Sequence, residues 1–92
     1  MQKHKLLYIA KNLNHQLAHS DIEAHVLVKK FDDGELGICF THYSDYYEDN
    51  YKSLYIFEWH GEVEALEISN HMIDVMAGER LVTDEGNTEL FS

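Results

Sequence analysis

Apolar residues near the start of the chain recur every three or four positions, which is the spacing of one buried helix face. They are Leu6, Ile9, Ala10, Leu13 and Leu17. This spacing predicts a helix from about Lys3 to His19, with the lysines and asparagines of the segment lying off the buried stripe. Ser20 and Asp21 break the pattern, so we expect the helix to end before them.

A pattern of period two follows, which is typical of half-buried strands. The segments 23–31 and 35–43 each keep three apolar residues on one face: Ala24, Val26 and Val28 in the first, and Leu36, Ile38 and Phe40 in the second. Asp32, Asp33 and Gly34 between them predict a tight turn, because Gly tolerates a positive φ and Asp accepts local backbone hydrogen bonds. The two segments therefore predict a β-hairpin. A polar, aromatic loop at 44–51 (SDYYEDNY) then leads to a third strand at 52–59, which is rich in β-forming residues.

Residues 62–77 allow two interpretations. In the first they form a helix that Gly78 ends, because Ile68, Met72, Val75 and Met76 share one face. In the second, residues 62–68 form a strand after a turn at His60 and Gly61, and a short helix capped by Ser69 follows. Beyond them, Leu81-Val82 and Leu90-Phe91 around a turn at 84–87 predict a small hairpin or an extra C-terminal strand.

The order of these elements predicts an α+β fold, α-β-β-β-α, in which an antiparallel sheet of three or more strands packs against two helices. A length of 92 residues suits one small domain, so residues 1–92 are treated as a single unit. With 45% hydrophobic residues the chain is too apolar for a disordered acidic tail, and we expect a folded core.

Charge is distributed very unevenly along the chain. The sequence has 17 acidic and 7 basic residues, for a net charge of −10. Residues 1–30 hold five lysines against Asp21 and Glu23, which is +3, whereas residues 31–92 hold fifteen acids against Lys52 and Arg80, which is −13. Most of these acids have no basic residue to pair with, so the excess charge favours solubility and attraction to cationic partners.

Composition also indicates the compartment. Cys39 is the single cysteine, so no intramolecular disulfide can form, which fits a reducing compartment. The longest early apolar run, Leu6 to Ala10, is too short for a signal peptide or a membrane helix. The sequence therefore predicts a soluble, cytoplasmic protein that does not associate with membranes.

Three groups of residues could carry catalytic or metal chemistry, and each lacks a necessary component. His15 and His19 have the spacing of two metal ligands on a helix, but no further ligands of a known motif accompany them. Cys39 with His42 could form a thiol nucleophile, but the cysteine lies within a strand of an acidic chain. Asp45, Glu48 and Asp49 lack the loop pattern of a calcium site. We therefore expect no enzyme activity, no metal and no cofactor.

Direct binding of nucleic acid requires a basic face, which residues 31–92 cannot provide. Ordered carboxylates on strands and helices can instead imitate a row of phosphates, and tyrosine and tryptophan are frequent interface anchors. The residues that we expect to bind a partner are Asp32, Asp33, Glu35, Asp45, Tyr46, Tyr47, Glu48, Asp49, Trp59, Glu64, Glu67 and Asp74. Asp84, Glu85 and Glu89 extend this set into the tail.

The acid and aromatic clusters DDGE (32–35) and SDYYEDNY (44–51), in a short chain without cofactor motifs, resemble the small acidic DNA-mimic inhibitors carried by phages and mobile elements. This resemblance is one of character and implies an anti-restriction type of function, in which the protein occupies the basic DNA-binding site of a nuclease or of another defence or regulatory protein. An immunity or antitoxin protein that caps a toxic nuclease and a plain cytosolic adaptor domain remain alternatives. The same residues are compatible with a homodimer.

Overall fold

The structure, a computed structural model, describes residues 1–83. It contains α1 (Lys3–Ala18), β1 (Ala24–Lys30), β2 (Leu36–Tyr43), β3 (Tyr51–Phe57) and α2 (Glu62–Met76). The predicted α-β-β-β-α order is confirmed, and most element bounds fall within one or two residues of the sequence pattern. The hairpin or strand expected around the turn at 84–87 lies outside the described residues.

The three strands form an antiparallel sheet in the order β1-β2-β3. Two rows of cross-strand neighbours point to the same face: Val26, Phe40 and Leu54 in one row, and Val28, Ile38 and Ile56 in the other. Both helices pack against this face and contact each other. The fully buried side chains of the core include Leu6 and Leu13 of α1, Phe40 of β2, and Met72 and Val75 of α2.

Residues 62–68 form the first half of α2, so the alternative strand assignment for them is wrong. Ala65, Ile68, Met72 and Val75 follow the helical spacing and are all buried, and this burial decides the conformation. Ser69 is buried inside the helix and does not cap it. The helix ends before Gly78, which adopts a φ of 76°, a conformation that glycine tolerates best.

The β1–β2 connection has the predicted turn chemistry. Gly34 adopts a φ of 83°, and the Asp33 carboxylate accepts a hydrogen bond from the backbone N–H of Glu35 at 2.9 Å. The longer β2–β3 connection closes where the backbone N–H of Ser44 donates to the carbonyl of Asn50 at 3.0 Å. Within residues 1–83, no helix is both long enough and apolar enough to cross a membrane.

Candidate partner-binding surface

The acids of the two strand connections lie at opposite ends of the sheet, and all are exposed except Glu35, which is half-buried. Asp32, Asp33 and Glu35 surround the β1–β2 turn, which we call the hairpin end, and Asp45, Glu48 and Asp49 belong to the β2–β3 loop, which we call the loop end. Strand β2 joins the two ends with eight residues, which at about 3.3 Å per residue corresponds to roughly 25 Å. The structure therefore divides these carboxylates into two clusters and does not align them in one continuous row.

The predicted acids of α2 belong to the helical layer, which packs against one face of the sheet. Glu64 and Glu67 are exposed, whereas Asp74 is half-buried. His71, which the helical spacing places on the same stripe, is buried, and its Nε2 lies 3.3 Å from the carbonyl oxygen of Leu81. Glu64 also has a structural contact, because its Oε1 accepts a hydrogen bond from the backbone N–H of Gly61 at 3.1 Å.

Two of the three aromatic residues predicted to bind a partner are accessible. Tyr46 is 84% exposed and Trp59 is 54% exposed, but Tyr47 is only 8% exposed. Tyr47 is a core residue because its hydroxyl accepts a hydrogen bond from the backbone N–H of Val82 at 2.8 Å and lies 2.8 Å from His42 Nδ1. Its assignment to a partner-facing surface is therefore corrected, and the loop-end surface consists of Tyr46 and the three acids.

Tyr47 and His42 form a buried polar pair. The hydroxyl of Tyr47 accepts a hydrogen bond from the N–H of Val82 and forms a second hydrogen bond with His42 Nδ1, in which the tautomer of the imidazole determines which group donates. Burial lowers the pKa of His42 and raises the pKa of Tyr47. Both groups are therefore held in their neutral forms, as structural parts of the core.

The sheet face opposite the helices carries aromatic side chains that the sequence prediction did not recognise as one surface. The ring centroids of Tyr55 and Phe57 are 5.7 Å apart with an interplanar angle of 8°, and those of Phe57 and Trp59 are 5.4 Å apart with an angle of 11°. Phe31 packs across the sheet against Phe57, with centroids 5.6 Å apart. We call this surface the aromatic face. Its signal in the sequence is the set of aromatic residues at four of the five alternate positions of 51–59: Tyr51, Tyr55, Phe57 and Trp59.

The aromatic face differs from its surroundings in charge. Side chains alternate between the two faces of a strand, and the outward positions of β1, β2 and β3 contain no aspartate or glutamate. The one lysine there, Lys29, has its Nζ 5.3 Å from the centre of the Phe31 ring. An apolar, aromatic strip thus lies between the two acidic ends of the sheet.

The basic N-terminal part of the chain neutralises acids other than the predicted ones. Lys3 Nζ forms an ion pair with Glu58 at 2.7 Å, and Lys5 pairs with Glu62. These lysines are the main reason that the pKa values of both glutamates lie below the ordinary value. Within residues 1–83, no ion pair involves any of the acids of the hairpin end or the loop end.

The structure also locates the residues considered for catalysis or metal binding. The rings of His15 and His19 contact each other edge to face, with centroids 4.9 Å apart. No group of three potential metal ligands is found in the described part of the chain. Cys39 and His42 lie on opposite faces of β2, since an odd number of positions separates them, so the strand does not bring them together.

Comparison with protein-family models, curated proteins and solved structures finds no match to this chain.

Proposed function

We propose that this chain is an acidic inhibitor that occupies the basic nucleic-acid-binding site of another protein, such as a nuclease or a DNA-binding regulator. The observation that carries the proposal is the pair of acidic clusters at the two ends of the sheet, which are exposed except for the half-buried Glu35 and have no ion-pair partner within residues 1–83. Unpaired carboxylates on a chain with a net charge of −10 attract a cationic surface and repel nucleic acid.

The separation of the two clusters is compatible with replacing phosphates. Each DNA strand carries one phosphate per ~3.4 Å of helix axis. The distance of roughly 25 Å that β2 spans therefore corresponds to about seven phosphates of one strand. A basic cleft that contacts phosphates over this length could meet the hairpin end and the loop end at the same time.

The aromatic face provides the apolar contact that charge alone does not give. Tyrosine and tryptophan near the centre of an interface contribute much of the binding free energy when they are removed from water. Trp59 and Tyr51 are both more than half exposed, and Tyr43 is partly exposed. In this proposal the acids orient the partner and accelerate association, while the aromatic side chains slow dissociation.

The aromatic face also supports a second function, an immunity protein that caps a toxic nuclease without imitating DNA. In that case the aromatic contacts would carry recognition, and the partner's DNA site would stay open. Both functions require a cytosolic location, in agreement with a chain that has a single cysteine.

A displacement experiment tests the proposal. Proteins captured on the immobilised chain are identified and purified, and each is saturated with a fluorescently labelled DNA duplex. We expect this chain to displace the duplex completely, because both ligands use the same basic site. If the duplex and this chain bind at the same time, the proposal is wrong. Loss of nuclease activity with DNA still bound would support the immunity function instead.

A further inference from the structure

The aromatic face contains a pocket at the hairpin end where aromatic rings and carboxylates meet. The pocket has a volume of about 280 Å³ and is lined by Phe31, Asp33, Glu35, Phe57 and Trp59. Phe31 directly follows β1 and Phe57 ends β3, so the two rings meet across the central strand β2. Trp59 extends the aromatic wall beyond Phe57, with the two rings nearly parallel.

Gly37 allows this arrangement. A Cβ atom at this position of β2 would lie 2.8 Å from Cε2 of Phe31 and 3.1 Å from Cδ1 of Phe57. Such distances are too short for carbon atoms, which pack at about 3.5–4.0 Å. The absence of a side chain at Gly37 therefore lets both rings, which are inclined to each other by 54°, pack closely over the central strand and line the pocket.

The walls of the pocket favour a cation. Aromatic ring faces attract positive charge, and Lys29 of the chain itself already approaches the Phe31 ring at 5.3 Å. Asp33 and Glu35 add two carboxylates with no ion pair in residues 1–83. By contrast, the nearby Glu58 is neutralised by Lys3. A cation in this pocket would therefore be attracted both by the aromatic ring faces and by the two carboxylates.

We infer that this pocket receives an arginine side chain of the basic partner. A guanidinium group is planar, so it can stack on the indole of Trp59 while its N–H groups donate to a carboxylate of Glu35 or Asp33. A lysine ammonium is also attracted to a ring face, as Lys29 is to Phe31, but it has no plane to stack and no paired N–H donors to match a carboxylate. This inference rests on the proposed function, because it specifies which cation of the partner's nucleic-acid site is bound by the hairpin end.

The fluorescence of Trp59, which is the single tryptophan of the sequence, reports on this pocket directly. The probe is the short peptide acetyl-Gly-Arg-Gly-amide, and the control peptides carry citrulline or lysine in place of arginine. We expect a saturable change in emission with the arginine peptide, a much weaker response to lysine, and none to the neutral citrulline. An equal response to citrulline would overturn the inference, and an equal affinity for lysine would remove the preference for arginine.

A pair of charge-matched variants assigns the binding to this pocket. In the variant Asp33→Asn/Glu35→Gln, the side-chain oxygen of the asparagine can still accept the hydrogen bond that the backbone N–H of residue 35 donates within the turn. The hairpin should therefore stay folded. We expect this variant to bind the arginine peptide about tenfold more weakly. The control variant Asp45→Asn/Glu48→Gln, at the opposite end of the sheet, should bind it as the unmodified chain does. An equal loss of peptide affinity in both variants would show that the peptide responds to net charge alone. That result would contradict binding of the arginine in this pocket.

The peptide titration and the DNA displacement experiment can fail separately. The titration needs no nucleic-acid-binding partner. If the peptide does not bind, the pocket does not bind arginine, even if the chain displaces DNA. If the peptide binds as expected and the chain fails to displace DNA, the pocket binds arginine and the proposed function is wrong.

Discussion

At the scale of single residues, His42 and Tyr47 show where a polar sequence pattern hides a buried contact. Tyr47 lies in an acidic loop, and no period of apolar residues marks it as a core residue. It is buried because Val82, which is 35 positions further along the chain, supplies the hydrogen-bond donor for its hydroxyl. A contact between residues so far apart in sequence could not be predicted from local pattern, and for this reason Tyr47 was assigned to the surface.

The buried imidazole of His42 should make stability depend on pH. Its pKa is lowered from 6.5 in the folded state, so the unfolded chain binds a proton more readily, and the free energy of unfolding should fall as the pH decreases below about 6.5. The pKa values of Glu58 and Glu62 are lowered from 4.5. The contribution of these two glutamates to the free energy of unfolding is therefore present above about pH 4.5 and is lost only at more acidic pH.

Urea denaturation from about pH 7 to about pH 5 passes through the ordinary histidine pKa of 6.5, below which the lowered pKa of His42 costs stability, and stays above the ordinary glutamate pKa of 4.5. The variant His42→Gln should be less stable than the unmodified chain, and its stability should decrease less between these pH values. His15→Gln, at an exposed position, serves as the control and should keep the original dependence. A His42→Gln variant with an unchanged pH dependence would contradict this role.

At the scale of elements, α2 shows why periodicity left two assignments open. The segment 62–68 contains apolar residues that fit either an alternating or a helical pattern, and no residue there has a decisive preference. The helix is favoured by tertiary packing, because Ala65 and Ile68 continue the buried face of Met72 and Val75. The strands were easier to predict, since the turn at 32–34 fixes the register of the hairpin.

The start of α2 carries a testable contribution from Glu64. Its carboxylate accepts the N–H of Gly61 and lies in the first turn of the helix, where negative charge is favourable. We expect Glu64→Ala to lower the free energy of unfolding by about 0.5–1 kcal/mol, as measured by urea denaturation, because it removes one hydrogen bond and one favourable charge at the helix N-terminus. Glu67→Ala, at an exposed position of the same helix, should change it by less than about 0.5 kcal/mol. Equal effects of the two substitutions would show that Glu64 does not cap α2.

At the scale of the whole molecule, the uneven charge of the sequence becomes a surface with a definite arrangement. Lysines of α1 pair with Glu58 and Glu62, so the remaining acids dominate the hairpin end and the loop end. Within residues 1–83 these acids form no ion pair, and their role in binding a partner stays a prediction. The sequence could not show that the central strand separates them, or that the aromatic face lies between them, because both properties depend on how three strands pair.

If carboxylates at the two ends of the sheet bind a basic partner, the affinity for that partner must fall as the salt concentration rises. The dissociation constant for the identified partner is measured by calorimetry from about 50 to about 500 mM salt. Three proteins are compared: the unmodified chain, the loop-end variant Asp45→Asn/Glu48→Gln/Asp49→Asn, and the control variant Asp21→Asn/Glu23→Gln/Glu79→Gln. The control removes the same charge at exposed positions that are not part of the β2–β3 loop. Its residues belong to segments near the same end of the sheet, where the carbonyl of Glu23 accepts a hydrogen bond from the N–H of Tyr43 at 2.9 Å, so the comparison isolates the loop acids from their surroundings.

We predict that the unmodified chain and the control bind tightly at low salt and lose affinity steeply as salt rises. The loop-end variant should bind more weakly at low salt, and its affinity should depend less on salt concentration. Its free energy of unfolding should stay within about 0.5 kcal/mol of that of the unmodified chain. An affinity that does not change with salt, or an equal loss of affinity in the loop-end and control variants, would show that the loop-end carboxylates do not bind the partner specifically.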